Sequence, residues 1–219
     1  MPRVIVKICG LSTAPTLEAA INAGAEMAGF VFYDKSPRHI DLAAARRLGG
    51  LAAGRIKKVA LTVDADDGAL EHIIEALNPD YLQLHGSESP ARVEEVRARF
   101  GLPVIKAIGV ATKDDVQKAA AFAGADIILF DAKPAPGAMP GGNGLLFDWR
   151  LLQDVAADRP WLLSGGLDQN NVGEALRLTG APGVDASSGV ECARGVKDVS
   201  RIKAFVGAAR MLSSPAAKV

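Results

Sequence analysis

The chain has 219 residues, 49% of them hydrophobic and 23% charged, and its 25 basic residues match its 25 acidic ones. This describes one globular domain with a substantial core, and zero net charge excludes bulk electrostatic attraction to nucleic acid, so a bound anion must be held by a local site. No run approaches the roughly 18 apolar residues of a membrane span, and Lys7 interrupts the first apolar stretch where a signal peptide needs continuity, so no membrane association and a cytoplasmic location are expected.

Apolar strand-like runs begin near Val4, Met27, Lys57, Asp80, Pro103, Asp126, Pro160 and Gly183, and five of the seven intervals are 23 residues. Helical patterns lie between them, as in Thr16-Leu17-Ala20-Ile21, Leu70-Ile73-Ile74-Leu77, Val93-Val96-Phe100 and Val116-Ala119-Ala120. Strands alternating with helices predict a parallel sheet with right-handed crossovers. Eight such units close into a single-domain (β/α)8 TIM barrel over residues 1–211, with 212–219 as a frayed tail. The alternatives are weaker. A doubly wound open sheet typically carries a phosphate-binding glycine motif after strand 1, where this chain has Cys9-Gly10-Leu11, and a leucine-rich solenoid needs a ladder that is absent.

Period-two alternation then sorts the polar residues. In strand 1, Val4, Val6 and Ile8 face the helices while Ile5, Lys7 and Cys9 point inward, with Cys9 last, at the mouth. Strand 4 offers Tyr81, Gln83 and His85, strand 5 Lys106, strand 6 Asp131 and strand 8 Asp185. A lone charge inside a barrel is costly, so Lys7 and Lys106 are expected to pair with carboxylates such as Asp131 or Asp185. Cys9 reads either as a small buried hydrophobe or as a base, which a cation such as Lys7 would assist; Asp131 reads as an acid if burial favours its protonated form. An acid and a base across one mouth suit a proton-transfer isomerisation.

Residues 132–147, rich in glycine and proline, form a loop long enough to be a lid or binding loop. The last two strands end in Ser164-Gly165-Gly166 and Ser187-Ser188-Gly189, two small-residue turns that together would make a cup of donors for a phosphate at the usual place in a barrel. Cys9 and Cys192 make no disulfide framework, and His39, His72 and His85 show no metal-ligand spacing, so free thiols and no metal site are expected.

Six ordered motifs now converge. Lys7-Ile8-Cys9-Gly10, Gly29-Phe30-Val31-Phe32 with Ser36-Pro37-Arg38, Gln83-Leu84-His85-Gly86, Gly141-Gly142-Asn143-Gly144 with Phe147-Asp148-Trp149, Leu163-Ser164-Gly165-Gly166-Leu167, and Val184-Asp185-Ala186-Ser187-Ser188-Gly189-Val190-Glu191 closely resemble phosphoribosylanthranilate isomerases. The resemblance implies a cofactor-free enzyme of tryptophan biosynthesis, a monomer or homodimer, that converts a small phosphosugar, N-(5-phosphoribosyl)anthranilate, into an aminodeoxyribulose phosphate by an Amadori rearrangement. By matching position it implies Cys9 as general base at C2 of the sugar, Asp131 as general acid at the ring oxygen, and Arg38 as the holder of the anthranilate carboxylate. It further implies a substrate contact for Asp185, and phosphate-gripping loops at Gly142 and Gly144, Gly165 and Gly166, and Ser187, Ser188 and Gly189. In two places the chain departs from the pattern: Phe130 before the acid, expected to face outward, and Leu145-Leu146 where relatives often carry a polar pair.

Competing readings are an indoleglycerol-phosphate synthase, expected to supply a lysine acid and a glutamate at strand ends, a pentose-phosphate epimerase, expected to bring a metal set, and a non-catalytic phosphosugar-binding barrel. A dual enzyme acting also on a histidine-pathway ribonucleotide would need a second phosphate cup halfway round, where Asp64, Asp66 and Asp67 make the turn acidic.

Overall fold

A computed structural model describes residues 3–133, 141–142, 144–153, 155 and 159–211. Eight parallel strands close on themselves in chain order: β1 (Ile5–Cys9), β2 (Met27–Phe32), β3 (Lys57–Thr62), β4 (Tyr81–Leu84), β5 (Val104–Val110), β6 (Ile127–Ala132), β7 (Trp161–Leu163) and β8 (Gly183–Ala186). Every strand begins at the position read from the spacing or one residue after it. The expected (β/α)8 barrel is therefore the observed fold; the expected tail at 212–219 lies outside the described residues.

The crossovers are α1 (Ala14–Ala23), α2 (Leu42–Ala52), α3 (Asp67–Leu77), α4 (Pro90–Phe100), α5 (Lys113–Gln117), α6 (Val172–Thr179) and α7 (Val199–Met211). Asp41, Asp66 and Ser89 start α2, α3 and α4 by accepting a backbone N–H from the third residue on, which satisfies donors that the first helical turn leaves unpaired. The helix expected around Val116, Ala119 and Ala120 is shorter than its pattern. α5 gives way to a 3-10 turn at Lys118–Ala121, a segment with no large apolar side chain to bury.

Two apolar layers result from strand alternation. Val6, Ile8, Ala28, Phe30, Ile128, Phe130 and Val184 pack against the helices, and Phe130 meets Trp161 edge-on at 5.6 Å, so Phe130 faces outward as expected. Met27, Val59, Ile105, Ile127, Leu129 and Leu162 fill the barrel interior beneath the mouth. The seam closes where β1 pairs with β8, with Lys7 directly opposite Asp185. A short antiparallel hairpin, β9 (Glu191–Ala193) and β10 (Val196–Lys197), follows β8 outside the barrel.

Candidate active site

Residues at or just beyond the ends of β1, β2, β3, β4, β6, β7 and β8 share one cavity at the mouth. Cys9, Arg38, His85, Asp131, Ser164, Asp185 and Ser187 line it together with Gly141 and Gly142. A thiol at the end of β1 and a carboxylate near the end of β6 thus face one space.

Beneath Cys9, Lys7 Nζ donates to Asp185 Oδ1 at 2.9 Å, both side chains buried, so one of the expected pairs forms. The other does not. Lys106 donates instead to Glu88 Oε2 at 2.6 Å and to the carbonyls of Gly86 and Leu84 at 2.8 and 3.3 Å, because the turn after β4 carries a glutamate over the end of β5 that strand parity alone does not reveal. Asp131 is thereby left free of lysine.

Asp131 has other partners. Its Oδ1 accepts the Ala132 N–H at 2.9 Å and its Oδ2 lies 3.3 Å from His85 Nε2. Gln83 Nε2 lies 2.8 Å from His85 Nδ1, so amide, imidazole and Asp131 form one line of polar contacts. Both carboxylate oxygens therefore have polar partners.

Burial pushes the Cys9 thiol up from its ordinary range; the Lys7 ammonium opposes this without cancelling it. The expectation that Lys7 favours the thiolate holds in direction, but desolvation is the larger effect. Lys7 itself is pulled down by burial and more than restored by Asp185 and then Cys9, so its ammonium is retained.

On the β2–β3 side, Cys9 packs with Val31 and Leu61 and with the partly buried Tyr33 and Val63. These make an apolar wall fit for an aromatic ring. Arg38, on the loop after β2, lies at one end of this wall. Its Nε and Nη2 bond the Glu191 carboxylate at 2.7 and 2.9 Å and Nη2 also reaches the Gly142 carbonyl at 3.1 Å, leaving Nη1 without a bond among the described residues.

The other side is a polar cup lined by Gly141, Gly142, Gly144, Gly165, Gly166, Ser187 and Ser188, with Leu145, Asp131 and Asp185. Gly166 has φ +62°, and a Cβ there would lie 2.8 Å from Leu146 and 2.9 Å from the Leu145 carbonyl, so its turn needs glycine twice over. Gly189 does not line the cup; it lies against the Leu167 carbonyl and so packs the β8 turn onto the β7 turn. Of the loop at 132–147, residues 134–140 and Asn143 lie outside the described set, and Gly141, Gly142, Gly144, Leu145, Leu146 and Phe147 offer no charged side chain. A cation stands behind the cup: Lys197 Nζ donates to the Ser187 carbonyl and Oγ at 2.9 and 3.1 Å. Lys197 and Glu191 carry no site signal in the sequence, since only folding brings the hairpin back to the mouth; Ser164, which the sequence marks only as part of a turn, lies 3.5 Å from Asp185.

Among the described residues no group of three or more His, Cys, Asp or Glu is placed to hold a metal ion, and no helix is long and apolar enough to cross a membrane.

A closed parallel barrel whose last two turns form a polar cup of glycines and serines, with titratable groups at its strand ends, has the architecture of the (β/α)8-barrel enzymes. Comparison with known proteins narrows the class. Residues 6–208 match the family model described as N-(5'phosphoribosyl)anthranilate (PRA) isomerase. A relative from Rhodopseudomonas palustris (strain BisB18), named N-(5'-phosphoribosyl)anthranilate isomerase, is 58% identical over 94% of this chain and 96% of its own length, and one of the same name from Parvibaculum lavamentivorans is 53% identical over 94% and 98%. Among solved structures, the phosphoribosyl anthranilate isomerase of Thermotoga maritima superposes with a TM-score of 0.85 at 33% identity, covering 95% of this chain and 99% of that one. A phosphoribosyl anthranilate isomerase in complex with reduced 1-(o-carboxyphenylamino)-1-deoxyribulose 5-phosphate superposes at 0.82 with 32% identity over 95% and 99%. The chain belongs to the N-(5'-phosphoribosyl)anthranilate isomerase family.

Proposed function

We propose that the chain isomerises N-(5-phosphoribosyl)anthranilate to 1-(2-carboxyphenylamino)-1-deoxyribulose 5-phosphate, a step of tryptophan biosynthesis, with Cys9 as base and Asp131 as acid. The observation that carries this reading is that the Cys9 thiol and the Asp131 carboxylate line one cavity, with an apolar wall and an arginine on one side and an anion cup on the other. The substrate has matching parts: an aromatic carboxylate, a sugar and a phosphate.

With the phosphate on the turns after β7 and β8 and the ring on Val31, Leu61 and Val63, the furanose spans the space between Cys9 and Asp131. Asp131 delivers its proton to the ring oxygen; the C1–O bond breaks as the anthranilate nitrogen lone pair forms a C=N bond. The Cys9 thiolate then takes the C2 proton, and the C–H electron pair moves to C1–C2 as the iminium electrons return to nitrogen. The resulting enol tautomerises to the ketose. Each positioned acid or base contributes typically 10²–10⁴ in rate, and the remainder comes from holding the substrate at both ends.

Arg38 offers the substrate carboxylate its Nη1 side, since Glu191 occupies the opposite edge of the guanidinium. Asp185 acts through Lys7 and lines the space near the sugar. One substrate is favoured over two: on the β3–β4 side, the Asp64 and Gly86 N–H groups donate to Glu88 and the Ser87 N–H to Asp64, so amides that could cradle a second phosphate already serve carboxylates. The reading makes this a cytoplasmic enzyme of a small phosphosugar that works without a cofactor.

The test is turnover of phosphoribosylanthranilate, followed by loss of its fluorescence, for the native chain beside Cys9→Ser and Asp131→Asn. Turnover by the native chain and loss of at least about 10²-fold in kcat by each variant, with product still bound, is expected. Active variants would move the roles to other mouth residues, and an inactive native chain that binds product would make it a non-catalytic barrel.

A further inference from the structure

The hairpin after β8 joins the two ends of the site. Glu191 on β9 accepts Arg38 Nε at 2.7 Å and Lys197 Nζ at 2.6 Å on Oε1, and Arg38 Nη2 at 2.9 Å and the Gly195 N–H at 3.0 Å on Oε2. Lys197 on β10 reaches onward to the carbonyl and hydroxyl of Ser187. An unbroken chain of bonds thus runs from the arginine at the apolar wall, through one carboxylate and one ammonium, to the first serine of the β8 turn. All three charged side chains are buried.

Such a network is an expensive way to hold a hairpin. Taking ions out of water offsets most of their mutual attraction, and packed apolar residues would hold β9 and β10 at least as well. What the charges supply is placement. Glu191 grips the Nε–Nη2 edge of Arg38, which turns Nη1 to the cavity and removes the rotamer freedom of a long side chain before any ligand arrives. Lys197 occupies a lone pair on Ser187 Oγ, leaving the hydroxyl hydrogen free to donate into the cup.

We propose that Glu191 and Lys197 are positioning residues that set the distance between the carboxylate-holding arginine and the phosphate cup, and with it the substrate length the mouth accepts. The proposal rests on the substrate orientation given above. Burial pushes the Glu191 carboxyl up, but Arg38 and Lys197 bring it below its ordinary range; burial also draws the Lys197 ammonium below its ordinary value, with Glu191 opposing this without cancelling it. Neither residue touches the reacting atoms, so the loss of Glu191 acts on binding; the loss of Lys197 acts on binding first and also removes a lesser cation that draws the Cys9 thiol down.

The experiment measures kcat and KM for phosphoribosylanthranilate, and by calorimetry the Kd of two fragments, anthranilate and inorganic phosphate, for the native chain, Glu191→Gln, Lys197→Met and Lys197→Arg. Glu191→Gln is expected to weaken anthranilate about tenfold and phosphate much less, Lys197→Met the reverse, each raising KM more than it lowers kcat. Lys197→Arg restores phosphate affinity if the cation at Ser187 is what matters. Fragment affinities that stay at native values, or a fall in kcat and melting temperature with KM unchanged, would reduce the network to a structural clasp and overturn the proposal. Calorimetry does not depend on turnover, so a native chain that binds both fragments without isomerising the substrate sinks the isomerase reading while the variants still decide the role of the hairpin.

Discussion

Lys7 and Asp185 close the barrel from inside: they stand opposite each other in the β1–β8 register and join across 2.9 Å with both side chains buried, directly below Cys9. The pair has two measurable effects. Because the folded Lys7 is held above its ordinary value, its contribution to stability is complete below the unfolded lysine range, about 10.4, and disappears only as pH rises through the folded value. At neutral pH, Lys7→Met should therefore cost about 3–5 kcal/mol in urea unfolding, the usual penalty for stranding one partner of a buried pair.

The second effect is on the proposed base. Cys9 is raised by burial and lowered in part by Lys7, so kcat/KM should climb with pH as the thiol ionises and go on climbing through the ordinary thiol range. Lys7→Met removes the opposing cation and should move that limb to higher pH. A limb that stays in place under this substitution belongs to a group other than Cys9.

His85 connects Gln83 to Asp131. It lies 3.3 Å from the carboxylate of the proposed acid, so His85→Asn should lower kcat by about 10²-fold with KM changed only a few-fold. Gln83→Leu, which releases the imidazole from its orienting bond, should lower kcat by less. Steady-state kinetics separates these outcomes: a change confined to KM would make His85 a binding residue.

Gly189 and Gly50 make a matched pair of glycine tests. A Cβ at Gly189 would lie 2.0 Å from the Leu167 carbonyl oxygen, so Gly189→Ala must push the β7 and β8 turns apart. It should lower stability by about 1–3 kcal/mol and weaken inorganic phosphate measurably by calorimetry. Gly50 is exposed within α2 with open space around it, and Gly50→Ala should raise stability by about 0.5–1 kcal/mol and leave phosphate binding alone.

Asp115 caps α5 and anchors Lys133, two residues beyond Asp131. It accepts the Ala111 N–H at 3.0 Å, Lys118 at 2.7 Å and Lys133 at 3.0 Å, and these bonds, Lys118 foremost, hold its carboxyl far below the ordinary range against a smaller effect of burial. A depressed carboxylate stabilises the fold above its unfolded value, near 4, and loses that contribution as pH falls through and below it. Asp115→Asn should accordingly destabilise the chain at pH 7, with the gap to the native chain narrowing toward pH 3 in parallel thermal melts.

The sequence by itself determined the eight strands and which of their residues face inward. The 23-residue spacing and the two-residue side-chain period are local properties of the backbone, and they put Cys9, Asp131 and Asp185 inside and Phe130 outside before any contact was known. Only the tertiary structure decided the partners. Alternation points Lys106 to carboxylates such as Asp131 or Asp185, and its partner is Glu88 on a turn, while Arg38 pairs with Glu191 across 153 residues of chain. Which charges meet depends on the paths of loops and on where the barrel closes, and no repeat or alternation in the sequence encodes those paths.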